Sequence, residues 1–114
     1  MPERVSAAIR RRLATLGPDP QALARALVVL GDGAEFGLAG ALARLGAHET
    51  ARTAARLVDA DLLEPGEALR FRHPLMRAAI AATIDDAERG RSHALAARLL
   101  ACLLYTSPSP RDRS

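Results

Sequence analysis

Three histidines, a scatter of carboxylates and sixteen basic side chains, all of them arginine, are the groups with which this chain could do chemistry. His48, His73 and His93 lie far apart, with no pair at the i,i+4 spacing of a helix-borne metal site. The single cysteine, Cys102, sits close to the C-terminus and adds no ligand set or redox pair. Asp85 with Asp86, and Glu64 with Glu67, are neighbouring carboxylates, but a helix cap and a solvated turn account for them better than acid–base catalysis. With no lysine in the chain, a glycine-rich phosphate loop ending in Lys is excluded. Neither an enzyme nor a metal or cofactor resident in this segment is expected.

His73 is the sharper candidate. In Leu62-Leu63-Glu64-Pro65-Gly66-Glu67-Ala68-Leu69-Arg70-Phe71-Arg72-His73-Pro74-Leu75 two short apolar runs flank a Pro-Gly turn signal. The histidine falls where the second run gives way to a helix. In that place it is either a structural cap for nearby backbone groups or a group aimed at a ligand held by a neighbouring domain. A purely structural adaptor predicts a buried His73 bonded only within its own domain.

The elements that must position it are mainly helical. Val5, Ile9, Leu13 and Leu16 form one stripe of a helix over 2–16, closed by Gly17. Asp19 offers an N-cap and Pro20 a first helical position for a second helix ending at Gly31, with Leu23, Leu27 and Leu30 inward. After the Gly31-Asp32-Gly33 turn, a third helix is expected over 34–45, burying Phe36, Ala39, Leu42 and Leu45, with Gly46 closing it. A fourth covers 48–60, with Ala51, Ala54, Ala55 and Val58 as its apolar side. Strands at 62–64 and 69–72 make the hairpin. Pro74 opens a helix to about residue 84, with Leu75, Ala78, Ala79 and Ala82 packing. Asp85 and Glu88 resemble a capping box for a last helix carrying Leu95, Leu99 and Leu100. This order is that of a winged-helix domain: a mainly α fold with one short β-hairpin as its wing.

Composition agrees with that class. Of 114 residues 49% are apolar but only 3% aromatic, and Ala and Leu are strong helix formers. A body of this size buries roughly 65% of its unfolded surface, enough for a real core. The net charge of +3 is modest and does not by itself make a nucleic-acid surface. No apolar run approaches the ~20 residues of a membrane span, and the N-terminus lacks a signal-peptide core. No membrane partner is expected, and a cytoplasmic location is the default.

The fourth helix occupies the recognition position of a DNA-binding winged helix. Its exposed side would carry Glu49, Arg52, Thr53, Arg56 and Asp59. Arg52 and Arg56 could reach phosphates or guanines, whereas Glu49, Asp59 and Asp61 would repel the backbone whose neutralisation dominates affinity. Arg10-Arg11-Arg12 is more economically a solvated helix flank. A free-standing DNA-binding regulator is therefore the alternative reading.

Three blocks carry a family resemblance: Val5-Ser6-Ala7-Ala8-Ile9-Arg10-Arg11-Arg12-Leu13, Ala26-Leu27-Val28-Val29-Leu30-Gly31-Asp32-Gly33-Ala34-Glu35, and above all Leu69-Arg70-Phe71-Arg72-His73-Pro74-Leu75-Met76-Arg77-Ala78-Ala79. From about Val5 to Leu100 the chain resembles the segment that follows the nucleotide-binding domain in large LuxR-type transcriptional regulators, MalT-like ATPases of the STAND class. The resemblance implies a linker helix from the preceding ATPase core over 1–17, a winged-helix domain over 18–84, and the start of a helical repeat region over 85–101. Its implied partners are intramolecular, namely the ATPase core and the helical repeat sensor, with DNA bound through a distant domain. ATP or ADP would belong to the parent protein. In related STAND proteins the histidine of a Met-His-Asp motif meets the β-phosphate of ADP; here Arg72 replaces the Met and Pro74 the Asp, so only His73 carries over.

The stretch from Cys102 resembles the translation of a sequencing-library adapter. Residues 102–114 are accordingly expected to be a non-native, disordered tail, and the chain to be a fragment of a gene that continues beyond residue 101.

Overall fold

The computed structural model describes residues 3–106, with side chains placed from Arg4 to Cys102. The chain runs α1 (Glu3–Thr15), α2 (Pro18–Leu30), β1 (Ala34–Glu35), α3 (Phe36–Ala43), α4 (Ala47–Asp59), β2 (Ala68–Leu69), α5 (Pro74–Ala81) and α6 (Asp86–Thr106). It is mainly helical, with one small antiparallel sheet pairing Ala34 with Leu69 and Glu35 with Ala68.

Local chemistry sets most of the boundaries. Pro18, not Pro20, takes the first helical position of α2, so Gly17 and not Asp19 is its N-cap. Asp19 then lies inside the first turn, where its charge faces the positive end of the helix dipole. The expectation of a helix beginning at Ala34 is corrected: Ala34 and Glu35 are extended. Gly31 and Gly33 take positive φ values of 95° and 89°, a region open to glycine, and steer the chain alongside β2. The Gly33 N–H donates to the Leu69 carbonyl at 2.7 Å.

Around Pro65-Gly66 the two segments expected as a hairpin do meet, but the strands expected at 62–64 and 69–72 are reduced to an isolated bridge and to β2, whose ladder partner is β1 and not residues 62–64. Leu63 bridges Phe71, the Glu64 N–H donates to the Arg70 carbonyl at 3.0 Å, and the Arg72 N–H to the Leu62 carbonyl at 3.1 Å. Leu69 and Phe71 are buried while Arg70 and Arg72 are exposed, the alternation expected of a strand with one wet face. Its acidic tip, Glu64 to Glu67, is fully on the surface.

Two helix faces differ from those expected. On α4 the buried residues are Thr50, Thr53, Ala54 and Leu57, whereas Ala51 and Ala55 are exposed. The Thr50 hydroxyl donates to the Gly46 carbonyl at 2.8 Å, so its polar atom is satisfied and it packs as a small apolar group. Gly40 of α3 faces it closely enough that a Cβ there would overlap the hydroxyl. On α5 the buried pair is Ala79 and Ile80; Ala78 and Ala82 are exposed. That helix ends at Ala81, where the Thr83 and Ile84 N–H groups turn back to the carbonyls of Ile80 and Ala81 and tighten the last turn.

One core joins α1, α2, α3, α4, the segments around β2 and α5. Leu23, Leu27, Leu57, Leu62, Leu63, Leu69 and Ile80 are almost wholly removed from water, each such side chain contributing about 1.5–3 kcal/mol. A satellite cluster of Ala26, Leu42 and Ala96 joins α6 to α2 and α3. Asp85 caps α6 by accepting from the Glu88 N–H at 2.7 Å, while Glu88 pairs with Arg25 instead of completing a capping box. α6 continues helically through Thr106, past the boundary expected at residue 101; residues 107–114 of the expected disordered tail lie outside the described residues.

Candidate functional site

His73 is the point at which the hairpin hands over to α5. Phe71, buried at 6% exposure, anchors the strand. Two residues later His73 is still extended (φ −148°, ψ 142°) and serves as the N-cap of α5, with Pro74 in the first turn. A proline there loses no hydrogen bond, and its fixed φ pre-sets the helix. The imidazole Nδ1 accepts from the Leu75 N–H at 3.1 Å, and the His73 carbonyl accepts from the Met76 N–H at 2.9 Å. With Nδ1 used as an acceptor, the neutral ring carries its proton on Nε2. His73 is exposed, and among the described residues no hydrogen bond engages its Nε2.

Arg77, four residues on, fixes α5 against the rest. Its guanidinium donates to the Val28 carbonyl at 2.9 Å and lies 3.7 Å from the Asp32 carboxylate, which also accepts from the Phe71 N–H at 3.5 Å. The C-terminus of α2, the strand and α5 thus meet at one side chain, on the two elements that flank His73. The sequence alone gives Arg77 no role; its i+4 spacing from His73 is the one signal that points to it.

The histidine stands at the edge of an open cavity of ≈ 340 Å³ between α1 and α5. Val5, Ala8, Ile9, Leu75 and Met76 make an apolar floor; Arg12 and His73 supply the polar groups. That composition, mostly apolar with a few polar donors, is typical of small-molecule and docking sites. Val5, expected on an inward stripe, is 39% exposed.

The two arginines considered for DNA differ in situation. Arg52 is exposed on α4. Arg56 donates to the Leu16 carbonyl at 2.7 Å, and reciprocally Arg12 donates to the Ala60 carbonyl at 3.1 Å, so each guanidinium closes the carboxyl end of the other's helix. Thr53, expected on the same exposed face, is buried. Arg56→Ala should therefore act on stability, lowering it by about 1 kcal/mol in urea unfolding. A base- or phosphate-reading role would instead leave stability unchanged.

Among the described residues no group of three His, Cys, Asp or Glu side chains could hold a metal ion, and no helix is long and apolar enough to cross a membrane. No family model, no curated protein and no solved structure matches the chain.

Proposed function

We propose that this chain is the regulatory arm of a LuxR-type, STAND-class transcriptional regulator, a winged-helix domain that couples the nucleotide state of an ATPase core to a helical repeat sensor. The observation that carries the reading is the exposed His73 at the start of α5, its ring held through Nδ1 by the Leu75 N–H. The order of elements supports the winged-helix assignment: a short strand between α2 and α3 pairs with the second strand of the hairpin that follows α4. A buried adaptor histidine fits less well, because the ring is exposed.

In this mechanism the ATPase core holds ADP and His73 donates to a phosphate oxygen, keeping the closed state. A hydrogen bond to a charged group contributes about 1.5–3 kcal/mol, which shifts a closed–open equilibrium roughly 10- to 150-fold, the usual scale of allosteric coupling. The Leu75 N–H bond and Pro74 hold the ring before nucleotide arrives, so little ordering entropy opposes the contact.

In the polypeptide that joins this domain to its ATPase core, His73→Ala should weaken ADP binding about 10- to 150-fold and raise basal transcription. Unchanged ADP affinity removes His73 from the mechanism. The alternative of a free-standing DNA reader is favoured only by the exposed Arg52; the acidic hairpin tip and the occupied Arg56 oppose it. Salt-sensitive, submicromolar gel-shift binding by the 114-residue chain would establish that alternative instead.

A further inference from the structure

A second groove lies where α6 packs against α2 and the end of α3. Arg44, Arg91 and Arg98 line a cavity of ≈ 480 Å³ over Leu42 and Leu95. A smaller adjoining cavity shares Leu42, Arg44, Glu88 and Ser92 with it and adds Arg25. Arg91, Leu95 and Arg98 are at i, i+4 and i+7 of α6, so one face of the helix presents two arginines about 10.5 Å apart along the axis with a leucine between them. Arg44 ends α3 in the left-handed conformation (φ 63°, ψ 42°), and its side chain borders both cavities.

The charge in this groove is unbalanced. Glu88 is the one carboxylate lining it, and it is engaged with Arg25 at 3.8 Å. Among the described residues, no hydrogen bond or ion pair engages the guanidinium groups of Arg44, Arg91 or Arg98. Three exposed guanidinium groups without partners on the lining of one concave surface raise its local positive potential, where field lines concentrate. Their planar forks match phosphate oxygens bidentately. The volume suits a small molecule, and Leu42 and Leu95 offer a floor for its organic part.

We infer that this groove binds a small organic diphosphate, held by Arg44, Arg91 and Arg98 over the Leu42–Leu95 floor. The site is separate from the α1–α5 groove and does not depend on the role given to His73. The Ser92 hydroxyl, on the groove wall, adds a neutral donor. Two phosphates engage two arginines at once, so a diphosphate binds at least tenfold more tightly than a single phosphate.

Isothermal titration of the 114-residue chain with pyrophosphate, inorganic phosphate and citrate, at low and moderate salt, tests the inference. Pyrophosphate should bind at least tenfold more tightly than phosphate or citrate. The double variant Arg91→Gln, Arg98→Gln should lose at least tenfold in that affinity with its helical circular dichroism intact. The double variant Arg4→Gln, Arg11→Gln, which removes the same charge from α1, should lose less than twofold. Absence of pyrophosphate binding, equal binding of citrate, or equal losses in the two double variants would overturn the site. Tighter binding of a 20-base-pair DNA duplex, lost with the α6 arginines, would overturn it in favour of a nucleic-acid backbone contact.

Discussion

Truncating Leu57 to alanine should remove about 3 kcal/mol of stability, the middle of the range for a buried leucine whose cavity only partly collapses. Leu57 has no exposed surface and sits where α4, α2 and the hairpin meet. Its own carbonyl accepts from the N–H groups of both Leu62 and Leu63, at 2.9 and 3.3 Å. The root of the hairpin is therefore attached to the same residue whose side chain fills the core beneath it. A domain of this size has about 5–15 kcal/mol in total, so the variant stays folded but loses a large part of its margin. Urea unfolding monitored by circular dichroism measures the loss. Amide exchange at Leu63 and Phe71 should accelerate along with it, and a change below about 1 kcal/mol would mean that the leucine is not at the centre of the core.

At Gly40 two effects of opposite sign compete. Alanine is preferred over glycine inside a helix by about 1 kcal/mol, so Gly40→Ala would stabilise α3 in isolation. In the folded chain the added methyl would overlap the Thr50 hydroxyl and lie 3.1 Å from its Cβ and Cγ2 atoms. Thr50 cannot yield easily, since it is 2% exposed and its hydroxyl is bonded to the Gly46 carbonyl. Overpacking of this kind costs about 1–3 kcal/mol, so the clash wins and Gly40→Ala should be destabilising by about 2 kcal/mol. With Thr50→Ala already present the sign should reverse, the same substitution becoming neutral or stabilising by up to about 1 kcal/mol. A double-mutant cycle by thermal or urea unfolding reads the reversal directly; additive effects would show that α3 and α4 do not cross at this pair.

The Gly40–Thr50 contact also shows what one-dimensional reading misses. Apolar spacing located the helices because period and caps are local signals: Leu23 and Leu27 are buried as their stripe required, and Asp85 caps α6. It misplaced the inner face of α4 because alanine packs equally well inside or outside, while threonine hides its hydroxyl on the preceding turn. Nothing near Ala34 and Glu35 announces a strand; two residues pair only because β2 is brought alongside from a distant part of the chain. The place of His73 was readable from the Pro74 helix start. Its fixed Nδ1, the Arg77 tie and the α1 wall of the groove were not, since each depends on how separate helices dock. The α6 arginines were equally invisible as a set, because Arg44 reaches them from another helix.

The paired arginines that clasp α1 to α4 carry a consequence for the order of assembly. Arg12 reaches a carbonyl 48 residues ahead of it, and Arg56 one 40 residues behind. Neither bond closes a local loop, so α1 gains nothing from them until α4 is complete, and its apolar face waits longer still for α5. On a ribosome adding about 5–20 residues per second, the first helix is made several seconds before its binding surface exists. The N-terminal segment therefore docks well after it is made, and the interval during which α1 lacks its α5 partner is set by translation speed and not by the helix itself.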